Sequence, residues 1–171
     1  MNMNNQKKYK KNNLPGKLFL LLIVSFLVIG LDQGSKLWIE RNISTEQPLI
    51  LFPNFLQITF IKNPGGAFGI FSDFGGDHFR FFFILFNLIT LGLIGFFYFK
   101  LPSHLYSAAL GMALIIGGAI GNFIDRLRLG EVIDFIDLHY YSYHWPAFNV
   151  ADSAITVGAV LLGILILLKK W

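Results

Sequence analysis

Four stretches of apolar residues, each close to the length of a bilayer crossing, leave this chain few ways to fold. They run about 14–38, 79–99, 104–124 and 151–168. An α-helix rises about 1.5 Å per residue, so roughly 20 apolar residues cover the hydrocarbon core. Composition agrees: charged residues make up only 14% of the 171, against roughly 25% in an ordinary soluble domain. The expected class is an α-helical integral membrane protein with four transmembrane helices. It is read as a single domain over 14–171 behind a polar tail at 1–13.

The basic residues orient it. Lys7, Lys8, Lys10, Lys11 and Lys17 precede the dense part of the first span, Lys100 lies between the second and third, and Lys169 and Lys170 follow the fourth. Four spans put all three regions on one side, which the positive-inside rule makes cytoplasmic, with both termini there. All ten acids then fall at or beyond the opposite face. The net charge of +4 belongs to this orientation, and no nucleic-acid partner is expected. The first span has the basic start of a signal peptide, but Leu31-Asp-Gln-Gly-Ser-Lys36 follows it where a small-x-small cleavage site would stand, so an uncleaved span is expected. With no cysteine, disulfide frameworks, thiol nucleophiles and cysteine metal sites are excluded.

Two outer loops remain, 39–78 and 125–150. Residues 56–61, Leu-Gln-Ile-Thr-Phe-Ile, alternate as a strand does. Pro48, Pro53 and Pro64 punctuate the first loop, and Gly65, Gly66, Gly69, Gly75 and Gly76 permit turns. A small extracytoplasmic β-sheet between helices 1 and 2 is expected. In the second loop Tyr140, Tyr141, Tyr143 and Trp145 suit the headgroup belt.

Polar residues converge on that outer boundary. Asp32 and Lys36, spaced i, i+4, share a helix face at the end of span one. Asn63 follows the strand. Asn122, Asp125 and Arg126 end span three, Asp134 lies just beyond, and Asn149 and Asp152 open span four. Arg80, Arg128 and Glu131 read as headgroup anchors. Gly117 and Gly121 have the small-xxx-small spacing that brings helices close, which would carry Asn122 and Asp125 toward a neighbour. A carboxylate at this depth is costly and usually functional, although Asp152 could equally cap its helix. Two carboxyls brought together can share a proton and activate water.

Rival chemistries are thinly furnished. No His-Glu-x-x-His exists, and His139 and His144 share one loop without a complete ligand set, so surface roles and no metal are expected. Ser153 lacks a convincing histidine base. A small transporter or channel with an acidic outer mouth would need polar residues deep in several spans, yet span two offers mainly Asn87 and Thr90. A scaffold for membrane partners would leave the aspartates without chemistry.

Five motifs in order carry a family likeness: Asp32-Gln-Gly-Ser-Lys36, Asn63-Pro-Gly-Gly-Ala-Phe68, Gly117-Gly-Ala-Ile-Gly-Asn-Phe-Ile-Asp-Arg126, Val132-Ile-Asp-Phe135 and Phe148-Asn-Val-Ala-Asp152. On these the chain resembles the lipoprotein signal peptidase (signal peptidase II) family. The resemblance implies an aspartic endopeptidase of the bacterial cytoplasmic membrane; no cofactor is expected, and a monomer among membrane lipids is expected. Its substrate would be a diacylglyceryl-modified prolipoprotein, cut just before the lipidated cysteine. It implies Asp134 and Asp152 as the catalytic pair, with Asp32, Lys36, Asn63, Asn122, Arg126 and Asn149 in support. It also implies a β-cradle and a short helix in the second outer loop.

Overall fold

Two kinds of element, lipid-length helices and one small sheet, account for most of the chain. The structure, a computed structural model, describes residues 14–65 and 77–170. The tail at 1–13, the turns at Gly66, Gly69, Gly75 and Gly76, and the 66–68 part of the second motif lie outside the described residues. The helices are α1 (Leu14–Asn42), α2 (Asp77–Lys100), α3 (Tyr106–Arg128) and α4 (Val150–Leu167). Among the described residues these four are long and apolar enough to cross a membrane. The strands are β1 (Leu49–Phe52), β2 (Leu56–Asn63), β3 (Val132–Tyr140) and β4 (Tyr143–His144).

Helix α3 is the hub. Of its most apolar window 56% is buried, against 17% in each of the other three helices. Those three turn large side chains outward, among them Phe19, Phe26, Phe86, Phe96 and Leu167, as a protein dissolved in hydrocarbon should. Lipid tails are as apolar as leucine, so close contact must come from small residues. On α3 these are Ala108, Ala109, Gly111, Ala113, Gly117, Gly118 and Gly121, all buried. A Cβ on Gly118 would sit 2.4 Å from the Ala151 carbonyl oxygen of α4, and one on Gly121 would sit 2.6 Å from the Asp32 carboxylate of α1. The spacing of Gly117 and Gly121 therefore does what the sequence suggests.

The end of the helix bundle away from the sheet is locked by Lys17. Its buried ammonium donates to the Tyr98 and Leu101 carbonyls at 3.1 and 2.6 Å, and the Tyr98 hydroxyl donates back to the Lys17 carbonyl at 2.6 Å. The lysine thus satisfies carbonyls at the end of α2, where the helix dipole favours a cation.

At the end that carries the sheet, α1 and α3 run on to Asn42 and Arg128, past the expected limits of 38 and 124. Their last turns are polar yet still helical, because a helix needs only its own hydrogen bonds. The α3 terminus closes with Leu129 N–H on the Asp125 carbonyl at 2.7 Å, and the chain reverses at Gly130, φ +82°.

The sheet is larger than its expected source. Its order is β1-β2-β3-β4, antiparallel throughout, so the second outer loop supplies half its strands and the longest one. That loop holds strands where the family resemblance implied a short helix: residues 130–149 contain β3 and β4 and no helix. Strand β3 hides from pattern reading because Val132–Phe135 are buried on both faces, which erases the alternation a half-exposed strand displays. Phe148 pairs with Ile136 and returns the chain to the start of α4.

Gly118→Ala should destabilise the purified protein by about 1–3 kcal/mol, as overpacking does, and so lower its melting temperature. Gly30→Ala, where an added Cβ meets nothing within 4 Å, should leave it unchanged or slightly raised. Thermal unfolding of the two variants side by side checks the claim.

Candidate active site

Helix α4 begins with a demand common to all helices: its first N–H groups need acceptors. Asn149 supplies one. Its side-chain oxygen accepts from the Asp152 N–H at 2.8 Å, while the Asp152 Oδ2 accepts from the Asn149 N–H at 3.2 Å. This reciprocal capping box leaves Oδ1 of Asp152 for other work. The capping role and a chemical role therefore coexist in one carboxyl group.

Capping also fixes the Asn149 amide. With its oxygen committed, its nitrogen faces Asp134 and donates to Oδ1 at 2.7 Å. Asp134 sits on β3, and its Oδ2 accepts from Asn63 of β2 at 2.8 Å. Asn149 thus touches both carboxyl groups.

A second amide is fixed from the other side. The buried Lys36 ammonium has three protons and three acceptors: Asp125 Oδ2 at 2.7 Å, Asp32 Oδ2 at 2.9 Å and Asn122 Oδ1 at 2.9 Å. Since its oxygen faces the lysine, Asn122 must turn its nitrogen toward Asp152, and it donates to Oδ1 at 2.8 Å. The remaining acceptors are filled too. Asp32 accepts from the Ala151 N–H at 2.9 Å, and Asp125 from Gln33 at 2.9 Å and the Ile133 N–H at 3.3 Å. The Asp32–Lys36 pair is thus fully buried, unlike the exposed helix pair its spacing suggests.

Asp134, Asp152, Asn63, Asn122 and Arg126 line one cavity of about 640 Å³. It continues between α2, α3 and α4 past Phe83, Phe86, Asn87 and Val157 and is rimmed by Trp145–Phe148. Arg126 donates to the Gly65 carbonyl at 3.2 Å and stacks its guanidinium over Phe83 at 5.2 Å. Asp32, Lys36 and Asn149 stand behind the cavity wall. All eight residues singled out from the sequence therefore join one network. Asp125 and Gln33 belong to it as well, and neither stands among those eight. The signal for Asp125 was its i+3 spacing from Asn122, which places both on the same face of α3.

Burial first, and then the negative charge of Asp152, push the Asp134 carboxyl up to about 7, against the opposing pull of Asn63, Asn149 and Lys36. Four carboxyls here face two cations, Lys36 and Arg126, so keeping one proton on the acids relieves the excess charge.

A serine nucleophile finds no base here. The Ser153 hydroxyl donates to the Asn149 carbonyl at 2.9 Å, and His144 faces Asp137. Of the polar side chains buried in mid-span, Ser25 donates to the Ala113 carbonyl and Asn87 to the Ala119 carbonyl.

Four membrane-length helices with one buried and one half-buried carboxyl at the head of a largely apolar cavity are what a multi-pass membrane hydrolase of the aspartic type requires. Comparison with known proteins narrows this. The family model described as Signal peptidase (SPase) II matches residues 24–168. A lipoprotein signal peptidase of Geobacter sulfurreducens is 44% identical over 149 residues, covering 86% of this chain and 90% of that one. One from Syntrophotalea carbinolica is 41% identical over 153 residues, covering 89% and 91%. A bacterial membrane enzyme solved by the in meso method at 2.3 Å superposes with a TM-score of 0.75 at 34% identity, covering 88% of this chain and 87% of its own. The chain belongs to the signal peptidase II family and is an aspartic-type peptidase.

A carboxyl whose folded-state pKa lies above its unfolded value stabilises the fold least when ionised. The Asp134 contribution is therefore fully present below about 4, the unfolded carboxylate range, and is lost as pH rises through about 7. Asp134→Asn should melt above the wild type at pH 8, with the gap closing toward pH 4. Melting curves across that range provide the check.

Proposed function

We propose that Asp134 and Asp152 are the catalytic pair of this peptidase, and that its substrate is a prolipoprotein carrying diacylglycerol on its lipobox cysteine. Cleavage falls just before that cysteine and releases the signal peptide. The observation that carries the reading is Asn149, hydrogen-bonded at once to both carboxyls where they face one cavity.

In the resting pair one carboxyl is ionised and the other holds a proton. The carboxylate takes a proton from a water molecule as its oxygen attacks the scissile carbonyl carbon. The protonated partner donates to the carbonyl oxygen, giving a neutral tetrahedral diol. The C–N bond then breaks as the nitrogen takes a proton from one carboxyl and a diol hydroxyl returns one to the other. The raised Asp134 suits the acid role at neutral pH. Asn122 and Asn63 hold the carboxyls in register, and Arg126, on the same cavity, stabilises negative charge developing on oxygen. Asp32 and Lys36 act behind the wall by positioning Asn122.

Placement sets the substrate class. The apolar arm of the cavity between α2, α3 and α4 suits acyl chains and an apolar signal helix. The apolar side chains of β1 (Leu49, Ile50, Leu51 and Phe52) and the aromatics Tyr140, Tyr141, Tyr143 and Trp145 are exposed around the site, and they seat the sheet in the outer headgroups. The active site then lies near the extracytoplasmic face of the bacterial cytoplasmic membrane, with both termini and the tail at 1–13 on the cytoplasmic side. The enzyme works as a monomer among lipids, as one four-helix domain over 14–171.

Asp134→Asn and Asp152→Asn should each reduce cleavage of a diacylglyceryl-modified precursor on the order of 10³-fold or more while the protein remains folded in detergent. Either variant retaining near wild-type turnover would remove the pair from the mechanism. Wild-type activity should fall on the alkaline side as the pair loses its last proton near pH 7.

A further inference from the structure

A second cluster of ligating side chains lies outside the cavity, on the β3–β4 hairpin. Asp137 and His139 are two residues apart on β3, hence on one face of the sheet, and His139 pairs directly with His144 of β4. Their ligating atoms all lie within 4.8 Å of one another. The imidazole rings are stacked, with centroids 4.8 Å apart and planes 14° from parallel. His144 Nδ1 is 2.9 Å from both Asp137 oxygens, and Gln57 of β2 donates to Oδ2 at 2.7 Å.

An ordinary surface ion pair would explain His144 and Asp137 alone. It does not explain His139, whose Nδ1 is buried without a hydrogen-bond partner. A desolvated, unsatisfied ring nitrogen is costly. With the ring proton on Nε2, Nδ1 presents a free lone pair. We infer that Asp137, His139 and His144 form a binding site for a zinc-class divalent ion.

The donor set fits that ion. Two imidazoles and a carboxylate suit zinc, and no thiolate is present to favour softer metals. Three protein ligands leave one tetrahedral position for water. Ligands at about 2.0–2.2 Å stand roughly 3.3–3.6 Å apart around a tetrahedral centre, so the ligating atoms, now within 4.8 Å of one another, must draw in and the two stacked rings must turn until their lone pairs converge. The metal would replace the proton shared by His144 and Asp137, and Gln57 would orient the carboxylate from behind as such outer partners do. The His144 side chain is 47% exposed, which gives an entry path. The three residues do not line the cavity, so the ion acts as a staple of β3 to β4. Because Trp145–Phe148 follow directly and rim the cavity, the staple holds that rim.

The test is Zn²⁺ titrated alone into the purified full chain in detergent, read by competition with a fluorescent chelator. One ion per chain is expected. His139→Ala and His144→Ala should each weaken binding at least tenfold, and Gln57→Ala should weaken it by about 10- to 100-fold. His104→Ala and Asp134→Asn should leave it unchanged. Binding that is absent in the wild type, or undiminished in the double His139→Ala/His144→Ala variant, overturns the site. Should the variants fail to fold, Co²⁺ in the wild-type protein decides: a tetrahedral absorption spectrum with paramagnetically shifted imidazole protons supports the proposal, and a spectrum of hydrated Co²⁺ alone overturns it.

Discussion

A single buried ammonium group sets the geometry on which the site depends. Lys36 spends its three protons on Asp32, Asp125 and Asn122. Burying a charge is costly unless its partners are complete, and here they are. The consequence reaches two bonds further. By claiming the Asn122 oxygen, Lys36 compels the Asn122 nitrogen to face Asp152. An amide flipped the other way would set oxygen against the Asp152 carboxyl oxygen and N–H against the Lys36 ammonium. Capping orients Asn149 by the same logic, through the Asp152 N–H. Each carboxyl is thus met by an amide that has only one permissible orientation.

This network can form only because α3 is narrow where it must be. Gly121 lets the Asp32 carboxylate lie against the α3 backbone, and Gly118 admits the Ala151 carbonyl. The same contacts bring the Ala151 N–H within 2.9 Å of Asp32, so α1 is tied to the start of α4 across α3. Stability and site geometry are therefore not separable here. The residues that close the helices in lipid also fix the distances between α1, α3 and α4 at the outer end. The opposite end of the bundle is tied by the Lys17–Tyr98 hydrogen bonds.

Much of this was legible before any coordinates. Apolar length gives the four spans because a bilayer has a fixed thickness. The convergence of Asp32, Asn63, Asn122, Asp134 and Asp152 follows once the spans are threaded. What escaped was tertiary. Strand β3 is buried on both faces at its start, so it carries no alternation. Pattern alone therefore places the sheet in the first outer loop, and the short helix that the family resemblance implies for the second is absent from residues 130–149. Asp125 went unpaired with Lys36 because the partners lie on different helices. The choice between cap and chemistry for Asp152 could not be made from sequence, since its two oxygens divide the roles. The grouping of Asp137 with His139 and His144 needed the β3–β4 register.

The account holds that Asp134 and Asp152 share one proton at neutral pH, and infrared titration of the protonated carboxyl stretch measures this directly. In the wild type a protonated carboxyl band should be present at pH 6 and disappear through about pH 7. It should be lost in Asp134→Asn and titrate at lower pH in Asp152→Asn, where the neighbouring charge is gone. A wild-type protein with no protonated carboxyl at pH 6, or a band indifferent to both substitutions, would contradict the shared proton and the mechanism built on it.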